Sequence, residues 1–412
     1  MRYLDLVIVI AAWFALVGVV YVLKALGIKV PVRVYYGLFI MLKDEELVRE
    51  VIAPLGNILR RIPAWLIMAL TIGLFSLSMF IIVPIPLTII NINMYGIPSM
   101  LYLMTRNLVL MIIATTHRLN PIETVERGFT PLAPLIPGVT ISLYTFIYVM
   151  VAIGLGILLH ELAHGAVASR FGVRIKSGGA FALLFLAFGG FVEIDEEELR
   201  SKGLAVRLAV YSSWVFMNIM LAYIAVALVE LALLSPALTR DLLGTTIIYV
   251  VNSTDTVFKT GYVITAVNGH AIASIYSLIS TLSSANSSNV VLTIYDPVNR
   301  TMLNEVLSTR NLTMTMLGYS ALYLSPWGIV VENKSFYDLM FWIYTLNLTL
   351  ALLNAFPAYP LDGGQFLESL LSKVIIDREL RGRVMIALSA VLWSLIGLTL
   401  YYTLITGLYK LI

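Results

Sequence analysis

The chain has 412 residues, 59% hydrophobic and 12% charged, where soluble domains carry about 25% charged residues. This composition excludes a water-soluble domain and specifies a polytopic α-helical membrane protein with about six or seven transmembrane helices. A formal charge of +3, with no basic stripe interleaved with aromatics, excludes nucleic acid as a partner, and the absence of cysteine excludes disulfides and thiolate metal sites.

About 20 apolar residues cross a hydrocarbon core about 30 Å thick, so the runs near 5–23, 64–83, 138–168, 206–234, 338–356 and 384–409 are expected spans. The first is too long for a signal-peptide core and lacks a small-residue cleavage pattern, so it is expected to remain as an anchor. Segment 24–63 then carries Lys24, Lys29, Arg33, Lys43, Arg49, Arg60 and Arg61. Basic residues are retained on the cytoplasmic side, which puts this loop inside and the N-terminus outside. Stretch 94–115 is long enough to cross, but Arg106 in its middle makes a lipid-facing span costly and asks for a carboxylate or a lipid head group as partner. If it crosses, the N-terminus changes sides. No internal repeat is visible, which argues against inverted-repeat transporter folds.

The run 138–168 closes on HELAH, residues 160–164. On a helix, positions i and i+4 share a face, so His160 and His164 can offer two nitrogens to one ion while Glu161 projects beside it. Zn²⁺ suits two imidazoles and a carboxylate, leaving a fourth position for a water that Glu161 can deprotonate. The alternative is a chance match on a packed helix. Ionisable groups inside a span are expensive and usually functional, and HELAH lies about 9–15 Å below the flank marked by Arg170 at about 1.5 Å per residue.

Arg170, Arg174 and Lys176 follow this span, Arg200, Lys202 and Arg207 precede the next, and Lys373, Arg378, Arg381 and Arg383 lie between the last two. All three flanks are expected in the cytoplasm, so the HELAH span runs inward and 237–335 lies outside. Sequons at Asn252, Asn286, Asn299, Asn311 and Asn333 agree with an exported, folded polar domain. The acidic run EIDEEELR, 193–200, reads as a solvated helix start or an interfacial loop rather than a second cation site.

A catalytic zinc needs a third protein ligand. His117 and His270 are poorly placed, whereas Asp362 in NAFPAYPLDGG, 354–364, ends the span beginning near Leu339. Pro357, Pro360, Gly363 and Gly364 would open that helix, a break tolerated only where backbone is buried in protein or lines a wet cavity. The alternative is an aspartate capping a helix that starts at Gly364. The HELAH span and this span both approach the cytoplasm at their C-terminal ends, so the three side chains can meet at one depth.

HELAH in a membrane helix, with NAFPAYPLDG downstream, resembles the site-2 protease family of intramembrane zinc metalloproteases, over about 138–376. The resemblance implies that His160, His164 and Asp362 hold zinc, that Glu161 is general base and acid, and that Asn354 lines the site as an oxyanion donor. GGAFALLFLAFGGFVEI, 178–194, is similar to the family's membrane-associated β-hairpin, where Gly189 and Gly190 suit a turn and a strand edge that could pair with an unwound substrate. SSWVFMN, 212–218, resembles the central-span motif ending in Asn218, a substrate-binding candidate, without the Gly-Pro of bacterial members. GYVITAVNGHAIASIYSLISTL, 261–282, resembles a PDZ domain: VITAVNGHAI fits strand, Asn-Gly turn and strand, with Tyr262 where an acidic residue is usual. Such a domain could take a peptide.

The expected organisation is an N-terminal transmembrane region (1–137), a segment with zinc helix, β-hairpin and central span (138–236), an extracytoplasmic β-rich PDZ-like domain (237–335), the LDG span and loop (336–376) and a C-terminal helix (377–412). Three helices (138–168, 206–234, 338–364) would form the catalytic core. The expected activity is cleavage of a membrane-anchored partner within its transmembrane helix, in the cell membrane, with the bilayer as surroundings. Two other readings are a prenyl-protein-type metalloprotease, which would want a glutamate such as Glu193 as third ligand, and a non-catalytic zinc transporter or receptor.

Overall fold

The computed structural model describes residues 2–28, 30–44, 48–80, 96–132, 134–184, 187–234, 243–250, 261–285, 288–308, 322–324 and 329–408. Among the described residues, six helices are long and apolar enough to cross a membrane: α1 (Arg2–Ala25), α4 (Ile97–His117), α6 (Leu143–Arg170), α8 (Leu204–Leu234), α10 (Lys334–Asn354) and α12 (Arg378–Ile405). The stretch left open, 94–115, is α4. It tolerates Arg106 because the guanidinium donates to Thr130 Oγ1 at 3.2 Å and sits 5.7 Å from the centre of the Tyr102 ring. Its neighbour Asn107 donates to the Thr130 carbonyl and accepts from the Thr130 N–H, at 2.8 and 3.0 Å. The partners of Arg106 among the described residues are thus a hydroxyl and an aromatic face, not the carboxylate that was one expectation.

The run 64–83 is the expectation that changes. Its described part is α3 (Ala64–Phe80), 17 residues, which follows α2 (Ala53–Leu59) through a break. The two segments Glu50–Leu59 and Ala64–Leu77 are bent by 106°, a broken span or a re-entrant loop rather than one straight crossing. The cause is local: Pro63 has no N–H to continue a helical ladder, and it disfavours helical backbone in the residue before it.

Helices α6, α8 and α10 share two buried clusters, one containing Trp214, Ile219, Ala351 and Phe356, the other Ala152, Ala222, Val226, Tyr337 and Tyr344. Lipid tails are as apolar as leucine, so close packing and small residues, rather than escape from water, hold such helices together. Ala152 and Gly156 of α6 provide that close approach: a Cβ at Gly156 would lie 2.1 Å from Asn347 Oδ1 on α10.

Two antiparallel sheets complete the chain. The first has the order β1 (Val32–Tyr35), β2 (Phe39–Asp44), β3 (Ile175–Leu183), β4 (Ala187–Ile194), so the expected hairpin is present, with Gly189 and Gly190 paired inside β4 instead of at a turn, and one edge of β4 carries no strand among the described residues. Strands β1 and β2 were not expected. Across β3 and β4, Phe191 pairs with Gly179 and Phe181 with Gly189, and each ring covers the glycine opposite. The acidic run begins as expected with a helix start: Asp195 accepts from the Glu198 N–H to cap α7 (Glu196–Ser201). Arg174, 2.6 Å away, together with that cap, holds the Asp195 carboxyl down at about 2.

The second sheet, between α8 and α10, contains β5 (Leu243–Val250), β6 (Val263–Val267), β7 (His270–Ala271), β8 (Asn289–Asp296), β9 (Thr301–Ser308), β10 (Leu322–Leu324) and β11 (Ile329–Val330), with α9 (Ile275–Ser284) packed beside it. Asn268 and Gly269, at φ 49° and 80°, turn β6 into β7 as the Asn-Gly pair predicts for a two-residue hairpin. Tyr262 donates to Asp296 at 2.8 Å. Sequons Asn252, Asn286 and Asn311 lie outside the described residues.

Candidate metal centre

Helix α6 presents two stripes. Gly156, His160 and His164, at i, i+4 and i+8, face α8 and α10, while Gly154, Ile157, Leu158, Glu161 and Leu162 face the first sheet. Glu161 therefore stands at the seam, its Oε1 3.6 Å from His160 Nε2.

The third group arrives from α10 through a break. The helix ends at Asn354, and the chain resumes helical form at Asp362, the first residue of α11 (Asp362–Leu371). Gly363 and Gly364 let it fold back on itself, since added Cβ atoms would lie 2.3 Å from the Ala355 carbonyl oxygen and 2.7 Å from the Ala358 carbonyl carbon. Helix α12 pins the turn: Tyr359 N–H donates to Ser389 Oγ at 2.8 Å and Trp393 Nε1 donates to the Tyr359 carbonyl at 2.6 Å. The N-cap is Leu361, without a side-chain cap, so Asp362 does not serve as the cap of a helix starting at Gly364. Its Oδ2 lies 3.3 Å from His164 Nε2 and 3.9 Å from His160 Nε2.

One ligand atom from each of His160, His164 and Asp362 falls within 4.8 Å of the others. Ligands about 2.0–2.1 Å from a tetrahedral ion stand about 3.3 Å apart, so the donor set and its spacing fit a divalent cation. His164 is buried, at 7% exposure. His117 ends α4 and His270 sits in β7, and neither belongs to the cluster. Glu193 is engaged by Lys43 and Ser177, each at 2.7 Å, which hold its carboxyl below the usual range.

Of the remaining candidates, Asn354 closes α10 eight residues before Asp362 and is half-buried. Gly190 abuts the carboxylate, since a Cβ there would lie 2.8 Å from Glu161 Cγ, whereas Gly189 faces the Phe181 ring on the opposite side of β4. Asn218 on α8 is 1% exposed, and both of its amide atoms lack a protein partner. The sequence reading missed Trp214, one turn before Asn218: its indole, fully buried, lies 4.4 Å from the His160 ring and 6.2 Å from His164. It stands in the SSWVFMN segment already singled out, but an aromatic in an apolar run reads as packing.

Fold and site together define a multi-pass membrane protein with a candidate His₂Asp metal centre on an H-E-x-x-H helix. The model of Peptidase family M50 matches residues 148–397, more than half of the chain, and the chain belongs to that family, the site-2 protease family of membrane metalloproteases. Among curated proteins, the uncharacterized protein MJ0971 of Methanocaldococcus jannaschii is 26% identical over 237 residues, 57% of this chain and 57% of that protein.

Proposed function

We propose that the protein is a zinc endopeptidase that cuts a membrane-anchored partner within or at the edge of its transmembrane helix, as a step of regulated intramembrane proteolysis. The observation that carries this reading is the convergence of His160, His164 and Asp362 from two segments distant in sequence, with Glu161 3.6 Å from His160.

In this reading His160, His164 and Asp362 would hold the ion, each through one ligand atom. Bound zinc supplies a Lewis acid and a water whose pKa falls towards about 7. Glu161 accepts a proton from the attacking water and passes it to the leaving amine. Asn354 donates to the oxygen that gains charge, and Asn218, with a free amide one turn from Trp214, contacts the substrate backbone. A helix hides its peptide bonds, so the substrate must unwind, and the open edge of β4 near Gly189 and Gly190 takes it by strand addition. Helices α6, α8 and α10 act as the catalytic core. The domain inserted at 237–335 is PDZ-like, lies outside the cell and binds or gates the external part of the substrate. The centre faces the cytoplasm, where the basic flanks are retained.

Glu161→Gln is expected to abolish cleavage of a single-span model substrate in reconstituted vesicles while protein level and bound zinc stay at wild-type values. Asp362→Ala is expected to lose the zinc. Equal turnover in Glu161→Gln overturns the mechanism.

A further inference from the structure

Beside Glu161, on the sheet-facing stripe of α6, lies a cavity of ≈ 470 Å³. Its existence follows from the sequence. The residues of β3 and β4 turned to α6 are small at its middle, Ala180 paired with Gly190, so the sheet cannot fill the space that Gly154 also leaves open. The third wall is the π-turn Val48–Ile52, where Ile52 is fully buried against Gly165. Val51 and Ile52 come from a part of the chain that precedes the family match, which starts at 148. Leu158, Leu162 and three phenylalanines of the hairpin supply much of the remaining lining, and Glu161 is the one ionisable group among the described lining residues.

A cavity of this size and chemistry takes a bulky apolar group and rejects a polar one. Its position selects which. Glu161 borders both the cavity and the His₂Asp cluster, and β4, whose outer edge carries no strand among the described residues, lines the cavity at Gly190. An extended chain paired to that edge sends alternate side chains to the α6 side. We propose that this cavity is the subsite for a large apolar side chain of the substrate residue next to the scissile bond, and that Gly154 and Ile52 set its size. The inference rests on the protease reading above and assigns a specificity-determining role to the N-terminal segment.

The test uses the full-length protein in vesicles and single-span substrates in which each residue flanking the cut is Ala, Leu, Phe or Trp. At one of the two positions, Phe is expected to be cleaved at least about tenfold faster than Ala. Gly154→Leu, whose added atoms have room because a Cβ there meets nothing within 4 Å, is expected to remove that preference while bound zinc is unchanged. Ile52→Val, one methyl smaller, should extend the preference towards Trp. A second readout does not need turnover. The chain has no cysteine, so in Glu161→Gln a Gly154→Cys thiol is expected to cross-link, through a short bis-maleimide, to a substrate cysteine at that same position. Glu161-dependent cleavage with an unaltered size preference in Gly154→Leu, as an acyl chain filling the cavity would give, overturns the subsite and leaves the protease standing. If wild type shows no Glu161-dependent cleavage of any substrate, both readings fall.

Discussion

An imidazole can hold an ion only if its ring plane is fixed, because a rotation about χ2 swings Nε2 away from the other ligands. At His160 the fixing surface is an indole: Trp214, fully buried, lies 4.4 Å away at 34°. His164 meets the same indole at 6.2 Å, so one side chain backs both histidines. Groups that orient metal-bound histidines typically change affinity about 10–100-fold when removed. Trp214→Ala is therefore expected to weaken binding of Co²⁺, used as a spectroscopic substitute, by at least about tenfold and to alter its visible absorption band. Truncating a buried tryptophan also costs about 3–5 kcal/mol in a water-soluble core, so the informative variant is Trp214→Phe, which keeps an aromatic face. A wild-type Co²⁺ spectrum and affinity in Trp214→Phe, with both disturbed in Trp214→Ala, is the expected pattern. An unchanged spectrum and affinity in Trp214→Ala would show that the indole only fills space.

Between elements, the contact that sets how closely α6 approaches α10 is Gly156 against Asn347. The amide is fully buried and donates to the Ile343 carbonyl of its own helix at 2.8 Å and to the Ala152 carbonyl of α6 at 3.3 Å. Alanine is the better helix former by about 0.8–1 kcal/mol, so Gly156→Ala should stabilise α6 taken alone. In the bundle its methyl would lie 2.1 Å from Asn347 Oδ1 and must push the helices apart, an overpacking cost of about 1–3 kcal/mol. The expected result is a lower unfolding midpoint and reduced metal content, because His160 follows one turn later, with both regained in Gly156→Ala/Asn347→Ala. Independent, additive effects of the two substitutions would contradict the contact. This explains which parts of the fold were legible in the sequence. HELAH and LDGG could be read because ionisable residues and helix breakers are rare in spans and carry their own spacing rules. Gly156–Asn347 and Trp214–His160 could not, since each joins helices distant in sequence through residue types ordinary in a bundle. Strands β1 and β2 were hidden because 24–63 was read for its basic residues, while the partner that makes 39–44 a strand is β3, more than 130 residues on. The α2–α3 bend escaped because an apolar count registers length and not direction.

At the scale of the molecule, helix contacts and charge together lead us to propose an orientation. Strand β2 pairs with β3, joining the C-terminal ends of α1 and α6, and at their other ends Asp5 Oδ2 accepts from the Leu143 N–H at 3.2 Å, so these helices run parallel. The C-terminal ends of α4 and α12 also share a side, where Leu110 and Ala114 pack with Tyr402 and Leu408 and Thr403 Oγ1 accepts from the Leu132 N–H. Lys24, Arg61, Arg170, Arg174, Arg200 and Lys373 lie in or beside segments at the end occupied by the first sheet, which the positive-inside rule assigns to the cytoplasm in this proposal. Ala64 starts from that end, as Arg170 donates to the Leu59 and Ile62 carbonyls. Helix α4 starts there too, since its C-terminal end lies with the outer end of α12. Ala64 and Ile97 thus stand at one end of the bundle, which in this proposal makes the bent α2–α3 pair re-entrant, one of the two forms that its 106° bend allows. With the six candidate spans among the described residues as the crossings, this proposal keeps the N-terminal end of α1 outside although α4 crosses, because the run 64–83 drops out of the count. Single cysteines in this cysteine-free chain test it. Cysteines replacing Asp5, Arg118 and Gly407 should react with an impermeant maleimide on intact cells, and those replacing Arg61, Lys176 and Lys373 only after permeabilisation. Labelling of positions 5 and 407 from opposite sides would restore 64–83 as a true crossing and reverse the assignment for α1.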